Sequence, residues 1–201
     1  MNEGAVSTEL GLKGMPVEAE EIMVYRDIAL LEKTGGRLHV AHISSRNSVA
    51  LVRQAKAKGL PVTCEVAPHH FILTDEAVRG YDTNTKMSPP LRSAKDVEHI
   101  KEGLQDGTID IIATDHAPHD LTDKQVEYQN ACFGIVGLET ALPLTLKLVD
   151  EGIFSLSDAV NKLTSSPAEI FSLNSGNLSI GQRADIVIFD PNLKHKIDVT
   201  K

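Results

Sequence analysis

The order and spacing of strand-like runs constrain this chain most. Leu38–Ile43 reads as a buried strand, and a helical pattern over Ser48–Lys58 follows it, with Gly59 at its end and Pro61 beyond. Pro61–Val66 reads as the next strand. Ile109–Ala113 is a strongly apolar one. The step from Val62 to Ile109 is about twice that from Leu38 to Val62. It fits two units, with a weaker strand over Thr85–Ser88, near Lys86, between them. Ser93-Ala94-Lys95-Asp96 has capping-box spacing ahead of a stripe at Val97, Ile100 and Leu104. Further helices are expected over Gly137–Glu151, Ser155–Leu163 and Ser166–Leu173, the last two opening on Ser155 with Asp158 and on Ser166-Pro167 with Glu169. Strands separated by helices in series imply a parallel sheet with crossover helices.

An open doubly wound sheet and a barrel both satisfy that order. No Gly-rich phosphate loop follows any strand, which weakens the nucleotide-binding version. Polar, His-rich residues cluster just after the strands, where barrel enzymes place their chemistry. A complete eight-unit barrel needs roughly 250 residues. The 201 residues here offer about four units, preceded by an amphipathic helix over Pro16–Thr34. The expected fold class is therefore α/β, a partial (β/α)8 TIM barrel of about the second half. Half a barrel would leave unpaired strand edges, so the sequence is expected to be a portion that needs a missing half. The barrel portion is expected over residues 1–173. Asn174–Asn177 is a Gly/Ser/Asn linker, and Ile180–Asp190 reads as a turn feeding a strand.

Composition excludes several functions. Twenty basic and 28 acidic residues give a net charge of −8, which disfavours nucleic acid or anionic membrane as a partner. No apolar stretch approaches a membrane span, and Met1–Glu9 lacks the basic start and apolar core of a signal peptide. Two cysteines, Cys64 and Cys132, are too few for a disulfide scaffold. They read as free thiols in a reducing cytoplasm.

Eight histidines are present, several at strand ends. His39 and His42 lie in the first strand. Their odd separation puts them on opposite faces, with His42 at the C-terminal rim, where a neutral imidazole can bind metal. A core histidine bonded to backbone is the competing reading. Asp115 follows the apolar run Ile109–Ala113 directly. A carboxylate there can ligate a divalent metal and take a proton from activated water; it can also be a helix cap or a charged turn. His116 and His119 follow closely. His69 and His70 are adjacent, a poor arrangement for one metal, and suit a structural or supporting role. Cys64 sits inside a strand, with no helix N-terminus to lower its pKa, and suits packing rather than nucleophilic attack. Lys86–Arg92, with Pro89-Pro90, is a rigid turn.

Five segments in order resemble bacterial dihydroorotases of the amidohydrolase superfamily: His39–Ser45, Glu65–His70, Lys86–Arg92, Ala113–His119 and Phe133–Thr140. Gly181–Val187 resembles the start of that superfamily's return to a small β-sandwich, which would make 174–201 a linker and the beginning of that segment. The resemblance implies zinc-dependent, reversible cyclisation of N-carbamoyl-L-aspartate to dihydroorotate in pyrimidine biosynthesis. By that resemblance His42 and Asp115 are metal ligands, and Asp115 also carries the proton. Ser88, His119, Phe133 and Gly134 contact the small-molecule substrate, and His69 is no ligand. A cytoplasmic homodimer is implied, with aspartate transcarbamoylase as a further partner. Two departures stand out. Ser88 occupies a position where the family has Asn, and its hydroxyl lacks the amide's paired donor and acceptor. The family's early His-x-His motif, its metal-bridging residue and another histidine ligand do not occur here. Two ligands are fewer than the three usual for catalytic zinc, so this chain alone is expected to be inactive and to hold zinc weakly. Two other readings remain: a related cyclic-amide hydrolase of the dihydropyrimidinase or allantoinase type, and a non-catalytic partner of aspartate transcarbamoylase.

Overall fold

A computed structural model describes residues 1–194 and 196–197. The last part of the expected sandwich return, 198–201 with His195, lies outside the described residues. The chain opens with α1 (Ala5–Leu10) and α2 (Glu18–Thr34). Next come β1 (Leu38–Val40), α3 (Arg46–Ala57), β2 (Val62–Val66) and the short α4 (Pro68–Ile72). The later elements are α5 (Ala94–Gln105), β3 (Ile111–Ile112), α6 (Leu121–Lys124), α7 (Ala141–Asp150), α8 (Leu156–Leu163) and α9 (Ser165–Ile170).

The strands form one parallel sheet in the order β1-β2-β3. The expected parallel α/β pattern therefore holds, but the strand expected near Lys86 does not form. Glu65 pairs directly with Ile111 and Val66 with Ile112, so nothing lies between β2 and β3. Residues Thr83–Thr85 form a 3₁₀ turn instead, and Pro89-Pro90 cannot supply a ladder of N–H donors. Met87 and Leu91 are buried although they lie in a loop, so an apolar pattern there resembled a strand.

Helix starts follow local chemistry. Ser45, Ser93 and Ser155 each accept a backbone N–H three residues on, which starts α3, α5 and α8. The cap at Ser45 sets α3 two residues earlier than its apolar pattern alone suggests. Ser155 and Asp158 form the reciprocal capping box expected of them. The Ser166-Pro167 pattern is not used as a cap, because α9 opens at Thr164 without a side-chain cap bond. The helix expected from Gly137 begins at Ala141, since residues 137–140 belong to a loop tied to His116. Ile180–Asp190 forms no strand among the described residues, and Ile186, Val187 and Ile188 are exposed.

The core lies between one face of the sheet and its covering helices. Val62, Cys64 and Val66 alternate along β2 toward Val49, Val52 and Ala55 of α3 and Ile100 and Leu104 of α5. Gly103 allows α5 to approach closely. A Cβ there would lie 2.9 Å from Val49 Cγ1 and 3.1 Å from Ile109 Cδ1. His39 pairs with Thr63 in the parallel register, so His39, Thr63 and Glu65 share the opposite face. Pairing persists just beyond the ladders. The Ile43 N–H donates to the Glu65 carbonyl at 3.0 Å and the Ala113 N–H to that of Val66 at 3.1 Å. Those bonds fix the segments that carry His42 and Asp115. No described helix is long and apolar enough to cross a membrane.

Candidate active site

Parallel strands deliver all their following loops to one end of the sheet. The segments after β1, β2 and β3 carry His42, His69 with His70 in α4, and Asp115. His42 and Asp115 both adopt left-handed backbone, with φ of 53° and 46°. Non-glycine residues rarely do so, and such strain collects at functional sites. The left-handed turn changes the expected arrangement of β1. The strand ends at Val40, so alternation stops before His42 and its ring swings back over β2. His39 and His42 therefore converge on one carboxylate rather than facing opposite ways. His39 Nε2 lies 3.1 Å from Glu65 Oε2, and His42 Nδ1 lies 3.1 Å from Glu65 Oε1, the latter off the best hydrogen-bond direction. On the far side of His39, Nδ1 is 2.8 Å from Thr63 Oγ1.

His42 Nε2 faces Asp115 Oδ1 at 3.9 Å. The Glu65 side chain is 9% exposed, His42 34% and Asp115 25%, so the carboxylate is enclosed while the His42–Asp115 pair stays open to a ligand. Burial pushes the Glu65 carboxyl up, but the two imidazoles bonded to it outweigh burial and hold it at about 2. The Glu65 carboxylate beside it raises His42, against burial. Among the described residues no backbone N–H donates to the Asp115 side chain, so Asp115 is not a helix cap.

His42 Nε2 and Asp115 Oδ1 fit a divalent metal. One nitrogen and one oxygen donor stand 3.9 Å apart, less than two metal–ligand bonds of about 2.0–2.2 Å end to end. A second group, His119, Asp123 and Cys132, has ligand atoms within 4.8 Å of one another, with His119 and Asp123 exposed, Asp123 in α6 and Cys132 half-buried. The other expected site residues form two sets. Ser88 lines a cavity of about 340 Å³ that also touches His39, His42 and Arg92. His119, Phe133 and Gly134 meet at the rim. His119 Nε2 is 2.8 Å from the Phe133 carbonyl, and a Cβ on Gly134, at φ 157°, would lie 2.4 Å from the Ala117 carbonyl. Only glycine permits that approach.

Several supporting residues were not evident from sequence. His116 Nδ1 accepts the N–H groups of Gly137 and Leu138 at 3.1 and 3.2 Å. Buried Lys124 donates to the carbonyls of Thr83, Cys132 and Gly134 at 3.1, 2.9 and 2.8 Å. Lys86 Nζ sits 4.6 Å from the centroid of the Phe133 ring. Buried Arg92 binds Ser44, Asn2 and the Met15 carbonyl behind the rim. The signal for these was polarity within otherwise apolar or loop segments, which does not name a partner. His69 and His70 are buried, and desolvation lowers them to about 3 and 4, so both are neutral. Cys64 is fully buried and desolvation raises it to about 12, which excludes a thiolate nucleophile.

A parallel α/β sheet with polar residues at the strands' C-terminal ends fits a barrel or an open sheet, and the solved hydantoinases it resembles place it with the TIM-barrel-type α/β proteins. The chain belongs to the amidohydrolase family, whose profile matches residues 8–201. Among curated proteins it is similar to the dihydroorotase of Syntrophotalea carbinolica, 58% identical over 98% of this chain and 47% of that protein. Similar figures hold for the dihydroorotase of Pelotomaculum thermopropionicum, 58% identical over 98% of this chain and 47% of that protein. The chain thus spans about half the length of the curated relatives it matches. Among solved structures it is similar to L-hydantoinase (dihydropyrimidinase) from Arthrobacter aurescens. That match has a TM-score of 0.86 and 33% identity, covering 92% of this chain and 43% of the other. Dihydropyrimidinase from Brevibacillus agri matches with a TM-score of 0.84 and 26% identity, over 90% and 41%.

Proposed function

We propose that this chain forms the later part of the catalytic barrel of a zinc-dependent dihydroorotase, over residues 1–173, with 174–201 beginning the return to a β-sandwich. The observation that carries the reading is the His42–Asp115 pair, 3.9 Å apart at the ends of two strands, each residue held in left-handed backbone. Identity of 53–58% to curated dihydroorotases supports the substrate.

When bound there, zinc supplies Lewis-acid polarisation of the ring carbonyl and activation of the attacking water. His42 offers Nε2 as a donor, and Asp115 offers a carboxylate oxygen. Asp115 takes a proton from the attacking water and returns it to the ring nitrogen as the amide C–N bond breaks and a C–O bond forms. In the biosynthetic direction the same carboxylate moves the proton the opposite way. His119, Ser88 and the Phe133-Gly134 pair position the substrate. The two donors fall short of the three usual for catalytic zinc, so the 201-residue chain by itself binds zinc weakly and does not turn over substrate. The cytoplasmic location, homodimer and aspartate transcarbamoylase partner belong to this proposal through the dihydroorotase resemblance alone.

The test is ring opening of dihydroorotate by the full-length protein carrying this sequence. Turnover that Asp115→Ala abolishes is expected; near-normal kcat in that variant contradicts the assigned proton transfer. A second reading, a hydantoinase or dihydropyrimidinase, is favoured by the solved neighbours and by Ser88. Preference for a hydantoin or dihydropyrimidine over dihydroorotate in a substrate panel would establish it instead.

A further inference from the structure

We infer that Glu65 is the positioning residue of this centre: one buried carboxylate that orients His42 toward the metal and fixes which ring nitrogen bears its proton. The inference rests on the metal reading of His42 and Asp115, and it assigns a role that the motif resemblance does not.

An ionised carboxylate only accepts, so His39 Nε2, hydrogen-bonded to Oε2, carries hydrogen, and hydrogen on His42 Nδ1 is the arrangement its close approach to Oε1 favours, the contact lying off the best hydrogen-bond direction. His42 Nδ1 lies 3.1 Å from Oε1, and His39 Nε2 lies 3.1 Å from Oε2. With His39 neutral, its Nδ1 is left as an acceptor, and Thr63 Oγ1 at 2.8 Å supplies the matching O–H. With His42 neutral, its Nε2 is left as a lone pair, aimed at Asp115. That lone pair is what a metal requires, and a carboxylate on the other ring nitrogen also raises ligand basicity. Thr63, His39, Glu65 and His42 thus form one directed chain ending at the open site.

The fold makes this arrangement rigid. Glu65 lies in the middle strand, paired to both neighbours. Its own carbonyl accepts the Ile43 N–H at 3.0 Å, so the residue that orients the His42 ring also anchors the backbone beside it. Glu65 is buried on the face away from the core helices, where a charged residue contributes nothing to apolar packing. A surface role is excluded by its enclosure, and a simple ion pair does not account for two imidazoles on separate oxygens.

Nitrogen-15 spectra of the imidazoles in this chain, metal-free and at a pH that keeps the rings neutral, test the orientation directly. His42 is expected as the Nδ1–H tautomer and His39 as Nε2–H. In Glu65→Ala, His42 reverts toward the mixture of a free imidazole. Glu65→Gln keeps size and fold, but its single carbonyl oxygen accepts from one ring only, so at least one tautomer changes. Zinc affinity by chelator competition is expected to fall at least about tenfold in Glu65→Ala, and not to fall further when Glu65→Ala is added to His42→Ala. Unchanged tautomers in both Glu65 variants overturn the inference. So does equal affinity of wild type and Glu65→Ala in a chain that binds zinc through His42. If the tautomers behave as expected but zinc leaves His42 unaffected, the metal reading fails while the orientation by Glu65 stands.

Discussion

Asp115 and His42 occupy backbone that most side chains avoid, and among the described residues none gives Asp115 a capping hydrogen bond in return. Under the proposed function, that conformation serves the chemistry of Asp115 rather than the fold. Asp115→Ala is therefore expected to change unfolding free energy by less than about 0.5 kcal/mol, as for a surface site. A loss of about 1 kcal/mol in denaturant titration would restore the capping role. At Gly134 the constraint is spatial, because a methyl group would meet the Ala117 carbonyl and the His119 ring. In the full-length protein Gly134→Ala is expected to raise KM at least about tenfold, or roughly 1.4 kcal/mol of lost binding, with the fold intact by circular dichroism. An unchanged KM would remove this loop from the substrate pocket. His42 and Asp115 stood out in sequence because each lies at the end of an apolar strand-like run, but that pattern fits a core histidine or a cap equally, and only the motif resemblance singled them out as ligands. Glu65 did not stand out. An acidic residue inside a strand reads as a solvent-facing position, and only the left-handed turn at His42 reveals its two partners.

At the scale of elements, caps carried the most sequence information. Ser93 and Ser155 located α5 and α8 because each side chain replaces a missing intrahelical bond. The strand expected near Lys86 failed because burial alone does not make a strand. Met87 and Leu91 are buried by a loop whose prolines cannot join a ladder. The segment Ile180–Asp190 has a strand's composition but no partner among the described residues. Close helix packing leads to a further expectation. Gly103→Ala gains about 1 kcal/mol of helix propensity but overpacks Val49 and Ile109 at a cost of about 1–3 kcal/mol. A net loss of about 1 kcal/mol should appear in denaturant titration, and net stabilisation would show that α3 and α5 yield easily. The loop Cys132–Gly134 hangs on Lys124, whose ammonium satisfies three carbonyls. Lys124→Met leaves the Cys132 and Gly134 carbonyls unpaired, while that of Thr83 keeps the Lys86 N–H. It is expected to cost about 2 kcal/mol and to speed proteolysis within this loop, and an unchanged cleavage rate would contradict that anchoring.

For the whole molecule, parallel order was readable from the alternation of patterns, whereas the convergence of His39 and His42 on Glu65 of the neighbouring strand was not, since it depends on register. Two buried histidines also give the molecule a pH signature. Desolvation depresses His69 to about 3 and His70 to about 4, from 6.5. Between pH 6.5 and about 4 the unfolded chain takes up protons that the folded chain refuses, so stability falls as pH falls. His42 acts oppositely, because Glu65 raises it; its contribution is present below pH 6.5 and fades above its folded pKa. The two larger depressions dominate, and the melting temperature should fall steadily on acidification from pH 6.5 toward 4. A flat profile would mean that both rings accept protons without unfolding.

The central claim is that metal binds between His42 and Asp115, not at the His119–Asp123–Cys132 group. Zinc titration of the nitrogen-15-labelled chain, followed at the histidine ring nitrogens, separates the two. The account predicts a zinc-dependent shift at His42 Nε2, weak in affinity and lost in Asp115→Ala. A shift confined to His119, abolished by Cys132→Ser and indifferent to Asp115, would contradict it.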